Sequence, residues 1–207
     1  MSKPTPELAA ALARILDRID RSVLDSGYGG PPITMYLAGG LAVDYYCGSR
    51  YTEDVDASFS RRILLRAEEL KNAYRRADGK NAVLYFDANY NTTFALMHPD
   101  FENDSAPWEG IGNERRIVKL NVLSAVDLAV SKIARSSGPD VEDIRALALE
   151  RLITEKAVRA RAEEALGYYI GNLAEVRLSI EKACLDIAVA AQDGSPKPRT
   201  PGIEPTP

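Results

Sequence analysis

The sequence predicts an α+β protein: a small mixed β-sheet core with flanking helices, followed by a helical C-terminal part. Three observations carry this. Ile33 to Ala38 is a short apolar run closed by Gly39-Gly40, the pattern of a buried strand that turns into a helix. Arg116 to Val122 alternates, with Val118, Leu120 and Val122 facing one way and Lys119 and Asn121 the other, the period of a strand with one buried face. From Glu155 to Gln192 there is no proline, and apolar residues from Val158 to Ile187 recur every three or four positions, the period of a helix. The expected organisation is a core over 1–123, the helical part over 124–193 and a disordered, proline-rich tail over 194–207.

Taken in order, the first element is a helix. Thr5-Pro6 reads as an N-cap with proline at the first helical position, Leu8, Leu12, Ile15, Leu16, Ile19 and Val23 follow at helical spacing, and Gly27 to Pro32 stop it. After the strand at 33–38, Gly39-Gly40 opens a short helix, Leu41 to Tyr46, which Gly48 ends. A second strand is expected over Tyr51 to Phe59. Arg61 to Arg76 reads as a helix with Ile63, Ala67, Leu70 and Tyr74 on one face. Asp78-Gly79 is a turn signal before a strand at Ala82 to Phe86, and the turn Asn89-Tyr90-Asn91 precedes another at Thr93 to Met97. His98 to Asn113, rich in turn formers and acids, reads as a loop. Beyond the strand at 116–122, Ser124 with Asp127 three residues on begins a helix that runs to about Arg135. Ser137-Gly138-Pro139-Asp140 breaks it and starts the next. In the long C-terminal pattern, Gly167 and Gly171 mark a bend or a close helix contact.

Composition narrows the chemistry. The 207 residues are 45% hydrophobic and 27% charged, ordinary for a chain with a real core, and the formal net charge is -4. That balance excludes a general basic coat for nucleic acid, though not a local basic groove. Two cysteines, Cys47 and Cys184, and one histidine, His98, are too few for a Cys/His zinc site or a disulfide framework. With no apolar run of 18 or more residues and no signal-peptide core in MSKPTPELAAALARILDRID, a cytoplasmic protein without membrane contact is expected. Metals, if used, must be held by carboxylates.

The segment that carries chemistry is Met35 to Phe59, MYLAGGLAVDYYCGSRYTEDVDASF. A strand running into Gly39-Gly40 and a helix offers backbone N–H groups to an anion with no side chain in the way. Arg50, Thr52, Asp54 and Asp56 are spaced by two, so on one strand all four project from one face. Two carboxylates side by side repel unless cations lie between them. A Mg²⁺ or Mn²⁺ pair bridging Asp54, Asp56 and a triphosphate satisfies both, because hard cations take oxygen ligands. The alternative is a solvated acidic strand face with Arg50 as an ion-pair partner.

Gly39-Gly40, thirteen residues, then Asp54-Val55-Asp56 resembles the active-site signature of the polymerase-beta-like nucleotidyltransferase superfamily. The form Arg50-x-Thr52-x-Asp54-x-Asp56 is most similar to the abortive-infection (AbiEii-type) toxin nucleotidyltransferases of bacterial toxin–antitoxin systems. A second segment, Asp127 to Arg135 followed by Asp140-Val141-Glu142-Asp143, resembles that group's downstream helical motif. The resemblance implies transfer of a nucleotidyl group from a nucleoside triphosphate to a hydroxyl on RNA, such as a tRNA 3′ end, or on protein, with growth inhibition as the outcome and a cognate antitoxin as a possible partner. It implies that Gly39, Gly40, Arg50, Thr52 and Arg135 bind nucleotide, and that Asp54, Asp56, Lys132 and Asp143 form the catalytic set. Asp87 is the candidate for a third metal carboxylate, with Asp100, Glu102 and Asp104 as others. Asp127 and Asp140 also read as capping acids of their helices. Arg61, Arg62, Arg66, Arg75 and Arg76 are candidates for a basic RNA strip or a solvated helix face. Two other readings stand: an aminoglycoside-type enzyme holding a cationic acceptor on the acidic loop 98–104, or a catalytically idle interaction module or antitoxin.

Overall fold

A computed structural model describes residues 5–48, 51–76, 78–93 and 95–193. Its first helix, α1 (Pro6–Asp25), starts where the cap signal places it, with the Thr5 hydroxyl accepting from the Leu8 N–H, and buries the six-residue apolar face that its periodicity predicts. Strand β1 (Ile33–Leu37) is buried along most of its length, and α2 (Gly39–Cys47) follows after a single residue. Gly48, in the left-handed conformation, caps α2 through its N–H to Asp44 O. The chain then forms β2 (Asp54–Val55) and β3 (Ala57–Phe59), separated by Asp56 alone.

These two short strands belong to different sheets. β3 pairs antiparallel with β1, which pairs in parallel with β7 (Val118–Val122), and β6 (Ala106–Pro107) completes the four-stranded order β3-β1-β7-β6. β2 instead pairs in parallel with β5 (Asn81–Phe86), whose other edge carries β4 (Lys71–Arg75). The continuous strand expected over Tyr51 to Phe59 is therefore broken at Asp56, and its spacing by two does not leave all the polar residues on one face of one sheet.

The helix expected at Arg61 to Arg76 is absent. A 3₁₀ turn at Ala67–Glu69 leads into β4, an antiparallel partner of β5 with Asn72 facing Leu84 and Ala73 facing Val83. Lys71, Ala73 and Arg75 face out, while Asn72 is buried and Tyr74 half-buried. Pairing across the Asp78-Gly79 turn overrides a helical spacing that four apolar residues happen to share. Gly79 takes φ +81° in that turn, as a tight reversal requires. The strand expected at Thr93 to Met97 does not form among the described residues. The loop expected at His98 to Asn113 contains a one-turn helix α3 (Phe101–Asp104) and β6.

The described residues from Ala125 to Asp193 are mainly helical. Ser124 caps α4 (Ala125–Ile133) by accepting from the Asp127 N–H, and Ser137 with Asp140 makes a reciprocal capping box on α5 (Gly138–Leu149). The long C-terminal pattern divides into α6 (Glu155–Ala165) and α7 (Leu173–Asp193), joined through a 3₁₀ turn at Leu166–Tyr168. A Cβ at Gly171 would overlap the Tyr169 ring, so this glycine lets the chain fold back. The pairs Arg159–Glu181 and Arg177–Glu163 fix the two helices antiparallel. α7 packs on α5 and α6, and α1 covers β4 and β5. Among the described residues no helix is long and apolar enough to cross a membrane. The proposed tail, 194–207, and Arg50 lie outside the described residues.

Candidate active site

Asp56 is the hinge between the two sheets, and this position decides its surroundings. Its carbonyl accepts from the Ala38 N–H at 2.8 Å, joining it to the end of β1, where Leu37 faces Ala57. Its side chain lies against the α-carbon of Gly39, the first residue of α2. A Cβ at Gly39 would overlap the Asp56 carboxylate oxygen and stand 2.6 Å from Cγ, and Gly39 also holds φ +61°. Glycine is demanded twice, by conformation and by space. The neighbouring Gly40 is buried inside α2, away from the cleft lining.

The parallel pairing of β2 with β5 brings a third acid alongside. Asp54 faces Tyr85, Val55 faces Phe86, and Asp87, the next residue, donates its N–H to Val55 O at 3.1 Å. Asp56 and Asp87 both line a cavity of about 300 Å³, together with Gly39, Asn89, Tyr90, Asn91, Ala95, Ser131, Lys132 and Arg135. Asp54 is not among the lining residues. It bonds the Tyr85 hydroxyl and so raises that tyrosine's pKa. Burial raises the pKa of Asp56, and repulsion from Asp54 and then Asp87 raises it further, against attraction from Lys132 and Arg135.

Lys132 near the end of α4 and Arg135 in the turn after it also line the cleft. Lys132 is only 4% exposed, with its Nζ 2.7 Å from Asp143 Oδ2 and 3.6 Å from Asp140 Oδ1. Arg135, one turn on, is gripped at both ends by Asp140, through Nε to Oδ2 at 2.7 Å and a terminal nitrogen to Oδ1 at 2.6 Å. Burial alone would raise the Asp140 pKa; the hydrogen bonds from Arg135 and Ser137, with Lys132 nearby, overcome it and hold this carboxyl well below the usual range. Asp140 thus caps α5 and aims Arg135 at once. Asp143 reaches Lys132 rather than the cleft.

Several sequence-predicted residues are placed elsewhere. Thr52 uses its hydroxyl to accept the Asp54 N–H at 3.3 Å, a local turn contact. In the acidic loop, Glu102 accepts from the Tyr36 hydroxyl and Asp104 pairs with Arg161, which also holds Asp127 at 2.7 Å. His98 is buried between the Asp100 N–H and Glu164, its Nε2 3.3 Å from that carboxylate. None of Asp100, Glu102 and Asp104 lines the cleft. The arginine strip lacks its helix: Arg61 lies over Tyr28, Arg66 pairs with Glu69, and Arg76 stacks 3.9 Å from the Tyr51 ring centre. The turn 89–91 forms one wall, which sequence reading treats only as a connection.

Among the described residues no three His, Cys, Asp or Glu side chains gather into a ready-made metal cage. Mg²⁺ is held by one or two carboxylates and completed by substrate phosphates and water. Asp56 and Asp87, with Asp54 beside them, are oxygen donors of the right kind. Their mutual repulsion is what a bound cation relieves.

Residues 31–183, about three-quarters of the chain, match a family model described as "Nucleotidyltransferase of unknown function (DUF6036)". No curated protein and no solved structure gave a match.

Proposed function

Because this chain belongs to the nucleotidyltransferase family whose model spans its cleft, we propose that it moves a nucleotidyl group from a nucleoside triphosphate to a hydroxyl acceptor and releases pyrophosphate. One observation supports this above the others: Asp56, seated on Gly39, lines one cleft with Asp87, Lys132 and Arg135. Carboxylates and cations in one cleft match the two halves of phosphoryl chemistry.

Asp56 and Asp87, with Asp54 beside them, would hold Mg²⁺, and the ion would supply charge neutralisation at the phosphates. Lys132 and Arg135 bind the triphosphate oxygens, Arg135 as a planar fork already oriented by Asp140. Asp143 and Asp140 hold the Lys132 amine in place. The open Gly39 backbone at the head of α2 lets phosphate come close. Positioning and fixed charge, rather than a covalent intermediate, carry the rate.

The acceptor reading follows the signature's likeness to abortive-infection toxins: a hydroxyl of RNA, such as a tRNA 3′ end, or of protein, with growth arrest relieved by a cognate antitoxin. The aminoglycoside-type reading loses its main support, since the acids of loop 98–104 that reach partners pair within the protein. The test is incubation of the purified protein with each α-labelled triphosphate, Mg²⁺ and either total RNA or lysate. Label should pass to one macromolecular species with wild type and to none with Asp56→Asn. Equal labelling by that variant rejects the proposal.

A further inference from the structure

Helix α7 is apolar on two opposite sides. One is its core face: Val176, Ile180, Cys184, Ile187 and Ala190 are buried where α7 packs on α5 and α6. Leu178, Leu185 and Val189 are instead 72%, 66% and 57% exposed. At about 100° per residue these three fall within about 40° of one another, on the side opposite the core face. They make a row about 16 Å long. A single exposed leucine is ordinary, but a row of large apolar side chains on one face is a surface that a partner covers.

The charges beside the row differ between its flanks. On one flank Arg177 and Glu181 are occupied by Glu163 and Arg159 of α6. On the other stand Lys182 and Asp186, four residues apart, neither in an ion pair among the described residues. Glu175, exposed on that same flank, adds a second acid, and Glu181 is a third across the row. An anionic lipid surface repels such a border.

We infer that the Leu178, Leu185 and Val189 face of α7 is the contact between two copies of this chain, paired antiparallel about a two-fold axis. Charge sets the direction. A two-fold axis midway between Lys182 and Asp186 keeps each flank on its own side. Lys182 of one copy then meets Asp186 of the other, and the same pair forms again in reverse. Leu178 of one copy lies over Val189 of the other, and the two Leu185 side chains pack near the axis beside the Lys182 stems. A parallel pair would set Lys182 against Lys182 across the seam, where like charges repel. Using the same patch on both copies is the commonest way for identical chains to associate. Three large side chains over this length fall short of the roughly 1,600 Å² of a standard interface, so the dimer forms and dissociates with concentration.

Sedimentation velocity of the full chain from about 1 to about 100 μM tests this, and the mass should rise from one chain toward two. Leu185→Glu, at an exposed position, should hold it at one. Lys182→Glu sets acid against acid and Asp186→Lys sets base against base, so either alone should dimerise about tenfold or more weakly than wild type. Mixed in equal amounts, those two variants have opposite charges at both contacts and should form a heterodimer as tight as the wild-type dimer. No folding defect imitates that rescue. A wild type that stays monomeric across the range overturns the inference, whether or not another protein binds the row. So does a dimer that survives Leu185→Glu, charge variants that each dimerise as wild type does, or a mixture that associates no better than either variant alone.

Discussion

Replacing Gly39 by alanine separates the two demands made on that residue. The first is conformational: at φ +61° an L side chain meets the following carbonyl, at about 1–2 kcal/mol. The second is steric, because the new methyl would occupy the space of the Asp56 carboxylate. Gly110 provides the matched control, with φ +78° and nothing within 4 Å of a built Cβ. Gly110→Ala should therefore lose only the conformational component, about 2–8 °C in melting temperature for a chain of this size, with transfer unchanged. Gly39→Ala must also rotate Asp56 away from α2 or push the helix back. A displacement near 1 Å in a positioned group costs about a hundredfold in rate, so transfer of α-label should fall by at least that factor. Thermal unfolding of the two variants beside single-turnover transfer gives both quantities. If Gly39→Ala transfers label at the rate of Gly110→Ala, the packing of Asp56 on α2 has no part in the chemistry and the site has been built on the wrong contact.

Two other consequences follow from the charges. Burial, with Asp54 and Asp87 adding repulsion, raises the Asp56 pKa, so the folded state holds its proton more tightly than the unfolded chain does. Its contribution to stability is then most favourable below the ordinary carboxylate pKa and is lost as pH rises through the raised value. Asp56→Asn should melt higher than wild type at neutral pH, with the difference closing as pH falls; an equal or lower melting point at neutral pH contradicts this. In the pH–rate profile the acid limb belongs to Asp56 and should move to lower pH in Asp87→Asn, which removes one repelling charge, whereas an unmoved limb separates the two carboxylates. Lys132→Met takes the cation from between Asp140 and Asp143, a loss of about 3–5 kcal/mol for a buried ion pair, and differential scanning calorimetry should show it as a melting point lower by roughly 10 °C.

How much was legible in advance depends on the range of the interaction concerned. The capped starts of α1 and α4, the alternation of β7 and the glycine end of α2 are local, and residues a few positions apart settle them. The helix expected over Arg61 to Arg76 fails because β4 is specified by a partner across a turn, not by its own period. The C-terminal break is signalled by Gly167 and Gly171, and in the structure the Tyr169 ring lies against Gly171. Around the cleft, Lys132, Arg135, Asp140 and Asp143 could be brought together on paper, because α4, the short turn holding Arg135 and α5 follow one another in the chain.

The acids show where such reasoning stops. Counting by two puts Asp54 and Asp56 on one face, which holds only if the strand is continuous. β2 and β3 instead join different sheets, so Asp56 turns into the cleft while Asp54 bonds Tyr85. The same division draws in Asp87, since β2 can pair with β5 only after leaving the sheet of β1 and β3, and Asp87 is the residue beyond that pairing. The sequence singles out Asp87 as the residue ending the apolar run 82–86, but only the parallel contact between segments about thirty residues apart brings it beside Asp56. Asn89 and Asn91 arrive by the same route, as the turn that must follow a strand placed there. The charged half of the cleft is thus partly written in spaced motifs, and the neutral half is a product of sheet pairing alone.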